Sequence, residues 1–224
     1  MVKNYLYIMK LTFFKKSLNR IFQQIFSKNI KLDGDIIEFG AKKGSSKNFT
    51  NFFDVSNKNK VIFADKQHNQ NGETNKEDLE KKLSFKDNSF DNVIIFNVLE
   101  HVYDVDNAIK EIQRCLKLNG KIFASTPFLH RIHYAPEDYN RYTEQFIDKL
   151  LLKNNFKDIS VEIYGYGPFT AAYALIFDYT KYIPFLNNII LTICILIDFF
   201  IDIFTKTELK KLYPISICFS ARKG

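Results

Sequence analysis

The chain has 224 residues, 46% of them apolar and 25% charged, which excludes a disordered or collagen-like chain and suits one domain with a sizeable core. The net charge of +7 is compatible with an anionic partner wherever the basic residues cluster. No basic stripe is interleaved with aromatic residues, so nucleic acid is not expected as a partner. We expect a single domain over residues 1–224.

The N-terminal region, residues 1–30, is predicted to form a cap helix. Apolar residues from Phe14 to Phe26 recur at helical spacing over residues 5–28, and most basic residues lie off that face. The alternative is a basic amphipathic helix lying on a membrane. Lys10, Lys15 and Lys16 interrupt the apolar run, which argues against a secretory signal.

A strand and a glycine turn follow at Asp35–Gly44. The order of Ile36 and Ile37, then a loop with Gly40 and Gly44, is typical of the first strand and turn of a parallel α/β sheet. A helix is predicted over Ser45–Phe53, with Ser45 or Ser46 as its N-cap.

A second strand is predicted over residues 60–64 and ends at Asp65. An acid at this position can accept hydrogen bonds from ribose hydroxyls, although Asp is also a common turn residue. Residues 66–82 are polar and irregular, and we expect them to replace a helix and a strand. Further on, the pattern predicts strands over 92–98, 121–126, 157–164 and 213–221, and helices over 104–118 and 144–154. This alternation indicates a doubly wound α/β fold.

The cysteines and histidines do not predict a metal site. None of the four histidines has a Cys or His partner at ligand spacing, so no zinc is expected. The three cysteines lie in apolar-periodic segments, and we expect small buried side chains in a reducing cytoplasm. They are Cys115, Cys194 and Cys218.

Several short sequence motifs resemble those of the class I S-adenosylmethionine-dependent methyltransferases, and in particular those of a small-molecule branch associated with surface-polysaccharide genes. The most specific are the DNSFD word at 87–91, the LEHV word at 99–102 and PEDYNRYT at 136–143. The resemblance covers roughly residues 33–167 and 213–223. It implies a Rossmann-like, mostly parallel seven-stranded sheet with an antiparallel last strand, an N-terminal helix and an apolar helical insertion before the last strand.

The resemblance also implies roles by position. S-adenosylmethionine would be the cofactor, with the Gly loop at its methionine end, Asp65 on the ribose hydroxyls, and the end of the fourth strand near the sulfonium. The residues expected to bind it are Glu38, Gly40, Ala41, Gly44, Asp65, Lys66, Asp78, Leu79, Asn97 and Val98. One position departs from the family, whose loop usually reads Gly-x-Gly-x-Gly. Lys42 stands at its middle glycine, where it could crowd the cofactor, pair with its carboxylate or turn away.

The loop over residues 128–143 concentrates His, Arg, Tyr and carboxylates, as catalytic loops at strand ends often do. We expect His133, together with His101 and Asp138, to serve catalysis, His133 as the base that takes a proton from the acceptor. Residues expected to bind the acceptor are His130, Glu137, Tyr139, Arg141 and Tyr142. The alternative is a structural lid in which Arg141 pairs with Glu137 or Asp138.

The apolar insertion over residues 168–206 contains a stretch, 183–204, that nearly suffices to span a bilayer. Asp198 and Asp202 lie on one helical face, with Asn188 and Thr192 near the same stripe. Three outcomes remain open: contact with a membrane surface or a lipid tail, burial or an oligomer contact such as a homodimer, and a true span, which the charges disfavour.

The sequence therefore predicts a methyltransferase acting on a small-molecule, sugar or lipid-linked acceptor, at an oxygen. We expect it in the cytoplasm, with peripheral contact at the inner face of the membrane. The alternative is a catalytically degenerate scaffold or membrane adaptor.

Overall fold

The structure is a computed structural model that describes residues 2–56, 60–67, 74–134 and 137–224, with no side chains described for Val2 and Lys3. Parts of the 66–82 segment and of the 128–143 loop, including Pro136, lie outside the described residues. The chain divides into two compact units. The sheet unit comprises Ser27–Thr126, His133–Glu162 and Cys218–Gly224; the helical unit comprises Met1–Phe26, Pro127–Ile132 and Ile163–Ile217. A single domain over 1–224 stays a prediction.

Nine strands are present in the described part of the chain. They are β1 Lys31–Leu32, β2 Ile36–Phe39, β3 Asp54–Val55, β4 Val61–Asp65, β5 Asn75–Lys76, β6 Phe90–Phe96, β7 Leu116–Pro127, β8 Phe156–Tyr164 and β9 Ser216–Lys223. Strands β1 and β3 pair with each other, and the other seven form one sheet in the order β5-β4-β2-β6-β7-β9-β8. Strands β2, β4, β5, β6 and β7 are joined by parallel pairings.

The last strand runs against its neighbours. Ile215, just before β9, donates to the carbonyl of Tyr164 at the end of β8, and Gly224, just after β9, donates to Asn155 at the start of β8. This confirms the predicted mostly parallel, seven-stranded, Rossmann-like sheet with an antiparallel last strand.

The helices are α1 Val2–Phe13, α2 Leu18–Ser27, α3 Val105–Cys115, α4 Glu144–Lys153, α5 Pro168–Thr180, α6 Pro184–Thr205 and α7 Leu209–Leu212. Helix α3 packs its apolar face, including Ala108, Ile109 and Ile112, into a core with β2, β6 and β7, and the side chain of Asp104 caps its first turn through Asn107. A second core, around Ile8, Phe22, Tyr173 and Leu191, lies within the helical unit. The predicted N-terminal helix and apolar helical insertion are both confirmed as helical.

The N-terminal helix is divided where one continuous helix over 5–28 was expected. Helix α1 ends at Phe13 and α2 begins at Leu18. Lys15 between them has a positive φ of 61°, which an α-helix does not tolerate. The apolar spacing continues through the break, so periodicity alone did not reveal it.

The segment after the glycine turn also differs from the prediction. The helix expected over Ser45–Phe53 with a serine cap is wrong: only a 3-10 helix, Phe49–Phe52, forms there, and Asn48 precedes it without a capping hydrogen bond from its own side chain. The cap comes from β2 instead. The buried carboxylate of Glu38 accepts the backbone N–H groups of Phe49 at 2.6 Å and Thr50 at 2.9 Å, and it accepts the Thr50 hydroxyl as well.

The polar segment over 66–82 does contain a strand. Strand β5, two residues long, pairs parallel with the end of β4, so the expectation that this segment replaces a strand is wrong. Alternating apolar residues are missing because β5 is exposed at the sheet edge.

Candidate functional site

The site lies at the carboxyl ends of three neighbouring strands of the sheet unit. Gly40 follows β2, Asp65 ends β4, and Asn97 and Val98 follow β6. Strand β2 lies between β4 and β6, so the order of the strands reverses next to it. Open α/β sheets bind their ligands in the crevice at such a switch point.

A cavity of about 320 Å³ occupies this crevice, a size in the range of small-molecule sites. It is lined by Phe39, Gly40, Ala64, Asp65, Lys66, Gln67, Glu77, Asp78, Leu79, Glu80, Asn97, Val98, His101, Val102 and His133. Seven of the ten residues expected to bind the cofactor are in this set: Gly40, Asp65, Lys66, Asp78, Leu79, Asn97 and Val98. The lining brings together segments that are distant in sequence.

Gly40 has to be a glycine at this position. Its φ is +72°, and a Cβ added there would lie 2.4 Å from Cγ2 of Val98. Its N–H donates to the carbonyl of Ala64 at 2.8 Å, which ties the turn after β2 to the end of β4. The turn therefore lets the backbone reach the cavity where any side chain would block it.

Carboxylates dominate the charge of the cavity wall. The lining contains four carboxylates, Asp65, Glu77, Asp78 and Glu80, and one lysine, Lys66, whose Nζ lies 3.2 Å from Glu80 and 3.7 Å from Asp78. Asp65 Oδ1 accepts the N–H of Gln67 at 2.7 Å, which fixes the carboxylate at the turn after β4. A wall of this kind favours a ligand with a positive charge and with hydroxyl donors.

Two histidines share the cavity. The ring centroids of His101 and His133 are 5.0 Å apart. His101 Nδ1 contacts the backbone carbonyl of Glu137, which can only accept, so Nδ1 is the donor in this contact. His101 Nε2 lies 3.8 Å from the Glu100 carboxyl group, whereas His133 is exposed. His133 is thus the more accessible imidazole.

Glu100, which the sequence interpretation missed, is a buried acid beside this pair. Its side chain is only 2% exposed, and no hydrogen-bond partner of its Oε2 lies among the described residues. Burial raises the pKa of Glu100 to about 8, so the carboxyl group is largely protonated at neutral pH. The sequence did offer a signal for this buried acid, because Glu100 directly follows an apolar strand and Leu99 in the LEHV motif.

The loop residues predicted to bind the acceptor have other contacts. Arg141 donates two hydrogen bonds to the Asp138 carboxylate, from Nη1 to Oδ1 and from Nη2 to Oδ2, the second at 2.8 Å. This hydrogen bonding from Arg141 holds the pKa of Asp138 well below its usual range. Asp138 also accepts the backbone N–H of His133 at 2.9 Å, so the pair positions His133 and its loop.

The remaining loop residues are distributed between the two units. The Tyr142 ring is buried and its hydroxyl donates to the carbonyl of Leu99 at 2.9 Å. Tyr139 is exposed, with its ring 5.5 Å from that of Tyr103. His130 belongs to the helical unit, where its Nδ1 contacts the Arg131 carbonyl at 2.8 Å. None of these residues is among the described residues that line the cavity, and their roles stay predictions.

Three residues of the predicted cofactor set lie beside the cavity rather than in its lining, as far as the described residues go. Glu38 caps the 3-10 helix, Ala41 is buried and donates to the Ala64 carbonyl at 3.3 Å, and Gly44 has a φ of +76° with open space around it. Lys42 is exposed. Contact of these residues with a cofactor stays a prediction.

Comparison of the sequence with known protein families finds one match. Residues 42–124 match the family described as "Methyltransferase domain", a stretch that runs from the Gly loop through β7. Over this stretch the chain is similar to a methyltransferase domain, and its sheet has the class I fold. The match implies S-adenosylmethionine as the cofactor. No curated protein matches the sequence significantly.

Solved structures similar to this methyltransferase domain share its fold at low sequence identity. A SAM-dependent methyltransferase from Archaeoglobus fulgidus has a TM-score of 0.55 and 15% identity, over 96% of this chain and 94% of that one. Phosphoethanolamine N-methyltransferase 2 from Haemonchus contortus, solved with S-adenosyl-L-methionine, has a TM-score of 0.53 and 17% identity, over 87% of this chain and 49% of that one. The [4+2]-cyclase SpnF has a TM-score of 0.51 and 12% identity, over 97% and 80%. The chain thus spans about half the length of the Haemonchus enzyme.

The cavity fits S-adenosylmethionine, the cofactor that the match implies. Gly40 leaves space where any Cβ would collide with Val98, so a ligand can approach the backbone there. Asp65 ends the strand next to β2, as an acid that receives ribose hydroxyls does. Four carboxylates in the wall suit a ligand that carries a sulfonium charge.

Proposed function

We propose that the protein transfers a methyl group from S-adenosylmethionine to an oxygen of a small-molecule, sugar or lipid-linked acceptor. The observation that carries this proposal is the cavity at the switch point of the sheet, where the Gly40 turn, Asp65, the Asp78-Leu79 pair and the Asn97-Val98 pair converge. Bound S-adenosylmethionine supplies an electrophilic methyl group on a positively charged sulfur.

The residues of the wall divide between the two ends of the cofactor. Asp65 would accept the ribose hydroxyls, and Lys66, Asp78 and Leu79 would surround the adenine. At the other end, the backbone at Gly40 would hold the methionine part, and Asn97 and Val98 would contact the region of the sulfur. Positioning of this kind is the main contribution of an enzyme to a displacement at carbon, since it holds the acceptor in line with the methyl group.

On the acceptor side we assign proton removal to His133. A hydroxyl acceptor has to lose a proton as it takes the methyl group, and an imidazole near neutral pH suits that task. The exposure of His133, its place in the cavity lining and the anchoring of its backbone by Asp138 support this role. Because Nδ1 of His101 is engaged by Glu137, His101 would orient the neighbouring ring and the acceptor.

The class of acceptor rests on the sequence words and on the chemistry of the wall. The LEHV and PEDYNRYT words support an acceptor in surface-polysaccharide biosynthesis. The Haemonchus relative is named for methylation at nitrogen and SpnF for a cyclisation, so the atom has to be determined by experiment. Mass spectrometry of a panel of nucleotide sugars, lipid-linked sugars and small amines and alcohols, incubated with S-adenosylmethionine, would identify it.

Titration calorimetry with S-adenosylhomocysteine tests the cofactor site before any acceptor is known. We expect micromolar binding by the wild type and a loss of about tenfold or more for Asp65→Ala, since the ribose contact is a hydrogen bond to a charged group. Asp54→Ala, which removes an exposed acid from β3, serves as the matched control and should bind like the wild type.

A catalytically degenerate scaffold is the second candidate, since Lys42 stands where the family has a glycine and the helical unit exposes a large apolar surface. Failure of the wild type to bind S-adenosylhomocysteine at millimolar concentration would favour it over the enzyme. Binding without methylation of any acceptor in the panel would leave the cofactor site in place and remove only the acceptor classes tested.

We further propose a cytoplasmic location with peripheral contact at the inner face of the membrane through residues 183–204. Helix α6 is long and apolar enough to cross a membrane by length and composition, and only 17% of its apolar window is buried. A homodimer that covers the same residues is the competing arrangement.

A further inference from the structure

Helix α6 presents one continuous apolar face to the outside of the helical unit. The exposed residues recur at intervals of three and four, as the positions on one side of a helix do. They are Phe185, Ile189, Ile193, Leu196, Phe200 and Ile203, and Leu186 and Phe204 are exposed beside them. Phe185 is 75% and Phe204 82% exposed. Apolar patches of this extent are unusual on a monomer and mark an interaction surface.

The buried polar residues of α6, Asn187 and Asp198, lie on its other side and accept hydrogen bonds from within the helical unit. Asp198 is buried and accepts the N–H groups of Phe169 and Thr170, at 3.0 and 2.8 Å, so it caps the start of α5 from outside that helix. Asn187 accepts the hydroxyls of Tyr173 at 3.0 Å and Thr180 at 2.7 Å. These bonds fix the rotation of α6, so its apolar side has to face outward.

The N-terminal helix extends the same surface. Asn188 and Thr192 of α6 bond with α1, through Thr12 Oγ1 and Tyr5 Oη, each at 2.8 Å. Between the two helices runs an open groove of about 310 Å³, lined by Met9, Phe13, Phe185, Asn188, Ile189, Thr192 and Ile193. Phe13 of α1 therefore adjoins the exposed face of α6, and the two helices form one apolar surface.

Positive charge is concentrated in the helical unit. Its residues include ten Lys and Arg against four Asp and Glu, a net +6 of the chain's +7. Lysines lie at both ends of α6. Near its start, Lys15 and Lys181 place Nζ 5.4 and 5.5 Å from the centroid of the exposed Tyr182 ring. Beyond its end, Lys206 and Lys210 are exposed.

We propose that this surface, the outer side of α6 with Phe13 of α1, lies flat on an anionic phospholipid bilayer. An apolar face with basic and tyrosine side chains at its ends matches the acyl region and the phosphate level of a leaflet. A second copy fits less well, because a self-complementary contact would bring these lysines toward each other. A true span fits poorly, because one whole side of α6 is bonded to α1 and α5.

This inference deepens the membrane contact proposed above and does not depend on the methyl-transfer reaction. The test is flotation of the full chain with vesicles of phosphatidylcholine alone or mixed with phosphatidylglycerol. We expect binding to the mixed vesicles that weakens as salt is raised, since screening reduces the attraction of lysines for anionic headgroups. Equal binding to both kinds of vesicle, or none to either, would overturn the proposal.

Two pairs of charge-matched variants separate the apolar and the basic contributions. Ile193→Glu with Phe200→Glu should reduce vesicle binding by about tenfold or more, because two exposed apolar side chains that would enter the acyl region are replaced by charges. Leu118→Glu with Leu152→Glu places the same charges on exposed positions of the sheet unit and should leave binding within about twofold. Equal losses in the two variants would overturn the assignment of this face.

For the charges, Lys206→Glu with Lys210→Glu should lose binding to the mixed vesicles by about tenfold, whereas Lys86→Glu with Lys121→Glu, on exposed sheet-unit positions, should change it little. A stable dimer in sedimentation analysis without lipid, disrupted by the α6 variant, would assign the surface to a second copy instead. Bound protein that resists an alkaline carbonate wash would indicate a span.

Titration of S-adenosylhomocysteine into the same samples measures cofactor binding separately. Loss of vesicle binding with cofactor binding intact would therefore count against the lipid proposal alone.

Discussion

The imidazole rings of His101 and His133 lie 5.0 Å apart in one cavity, although 32 positions separate them in the chain. His101 is fixed by the Glu137 carbonyl, and the backbone of His133 is fixed by Asp138. The pair therefore offers one oriented ring and one accessible ring next to the cofactor cavity. That difference decides which histidine we expect to exchange protons with an acceptor.

His133→Ala is expected to lower turnover far more than cofactor binding. Removal of a general base costs about 100-fold in rate, whereas the affinity for S-adenosylhomocysteine should stay within about twofold because the predicted cofactor contacts lie on other residues. Steady-state rates with an identified acceptor, together with calorimetry, measure both quantities. The neighbouring Tyr134→Ala, an exposed position, serves as the control. Unchanged turnover in His133→Ala would remove this residue from the mechanism.

Glu100→Gln should alter the pH dependence of stability. The pKa of Glu100 is raised from 4.5 in the unfolded chain to about 8 in the fold. Folding thus takes up a proton between these values, so this group's contribution to stability is full below about pH 4.5 and is lost as the pH rises to about 8. Gln does not titrate. Relative to the wild type, the variant should gain about 3 kcal/mol in unfolding free energy between pH 5 and pH 8.

Urea unfolding at a series of pH values measures this gain. Glu144→Gln changes an exposed carboxyl group in the same unit and gives the baseline. Parallel pH profiles for the wild type and Glu100→Gln would show that Glu100 is ionised in the folded protein.

Arg141→Met should destabilise the loop that carries His133. The Asp138 side chain is only 2% exposed, and without the guanidinium it would remain as an uncompensated buried charge, at a cost of about 3 kcal/mol. The double variant with Asp138→Asn should recover much of this loss in urea unfolding. The same substitution at Lys211, whose ion pair with Glu208 is exposed, should cost less than about 0.5 kcal/mol.

A cost for Arg141→Met no larger than that for Lys211→Met would mean that Arg141 does not hold the loop. The guanidinium would then be available to an acidic group of the acceptor, as the sequence interpretation expects.

The fold was predictable from the sequence because its strongest signals are local. The buried run at 92–98 and the apolar face of 104–118 correspond to β6 and α3, and both were found within two or three residues of their ends. Asp65 was predicted from its position at the end of a strand of a doubly wound sheet, and the Asp78-Leu79 pair from the family resemblance; both line the cavity.

What the sequence did not reveal depends on partners that are distant in the chain. In the sequence, Glu38 is an acid next to a glycine loop. In the structure, its carboxylate caps the 3-10 helix at Phe49 and Thr50, and the expected serine-capped helix does not form. Asp198 reads as a charge inside an apolar helix, yet it caps α5 twenty-nine positions earlier. No spacing rule reports such contacts, because each depends on how two elements pack.

The Gly loop provides the last prediction, in which two neighbouring positions should respond in opposite ways. Gly40→Ala should abolish measurable binding of S-adenosylhomocysteine, because its Cβ would lie 2.4 Å from Val98 in a backbone with φ of +72°. Lys42→Gly restores the residue that the family usually has, but the Lys42 side chain is exposed, so affinity should change by less than about threefold, a small free-energy difference. Calorimetry on both variants, with circular dichroism to confirm folding, measures this contrast. A large gain in affinity for Lys42→Gly would show that the lysine turns into the site and obstructs the cofactor.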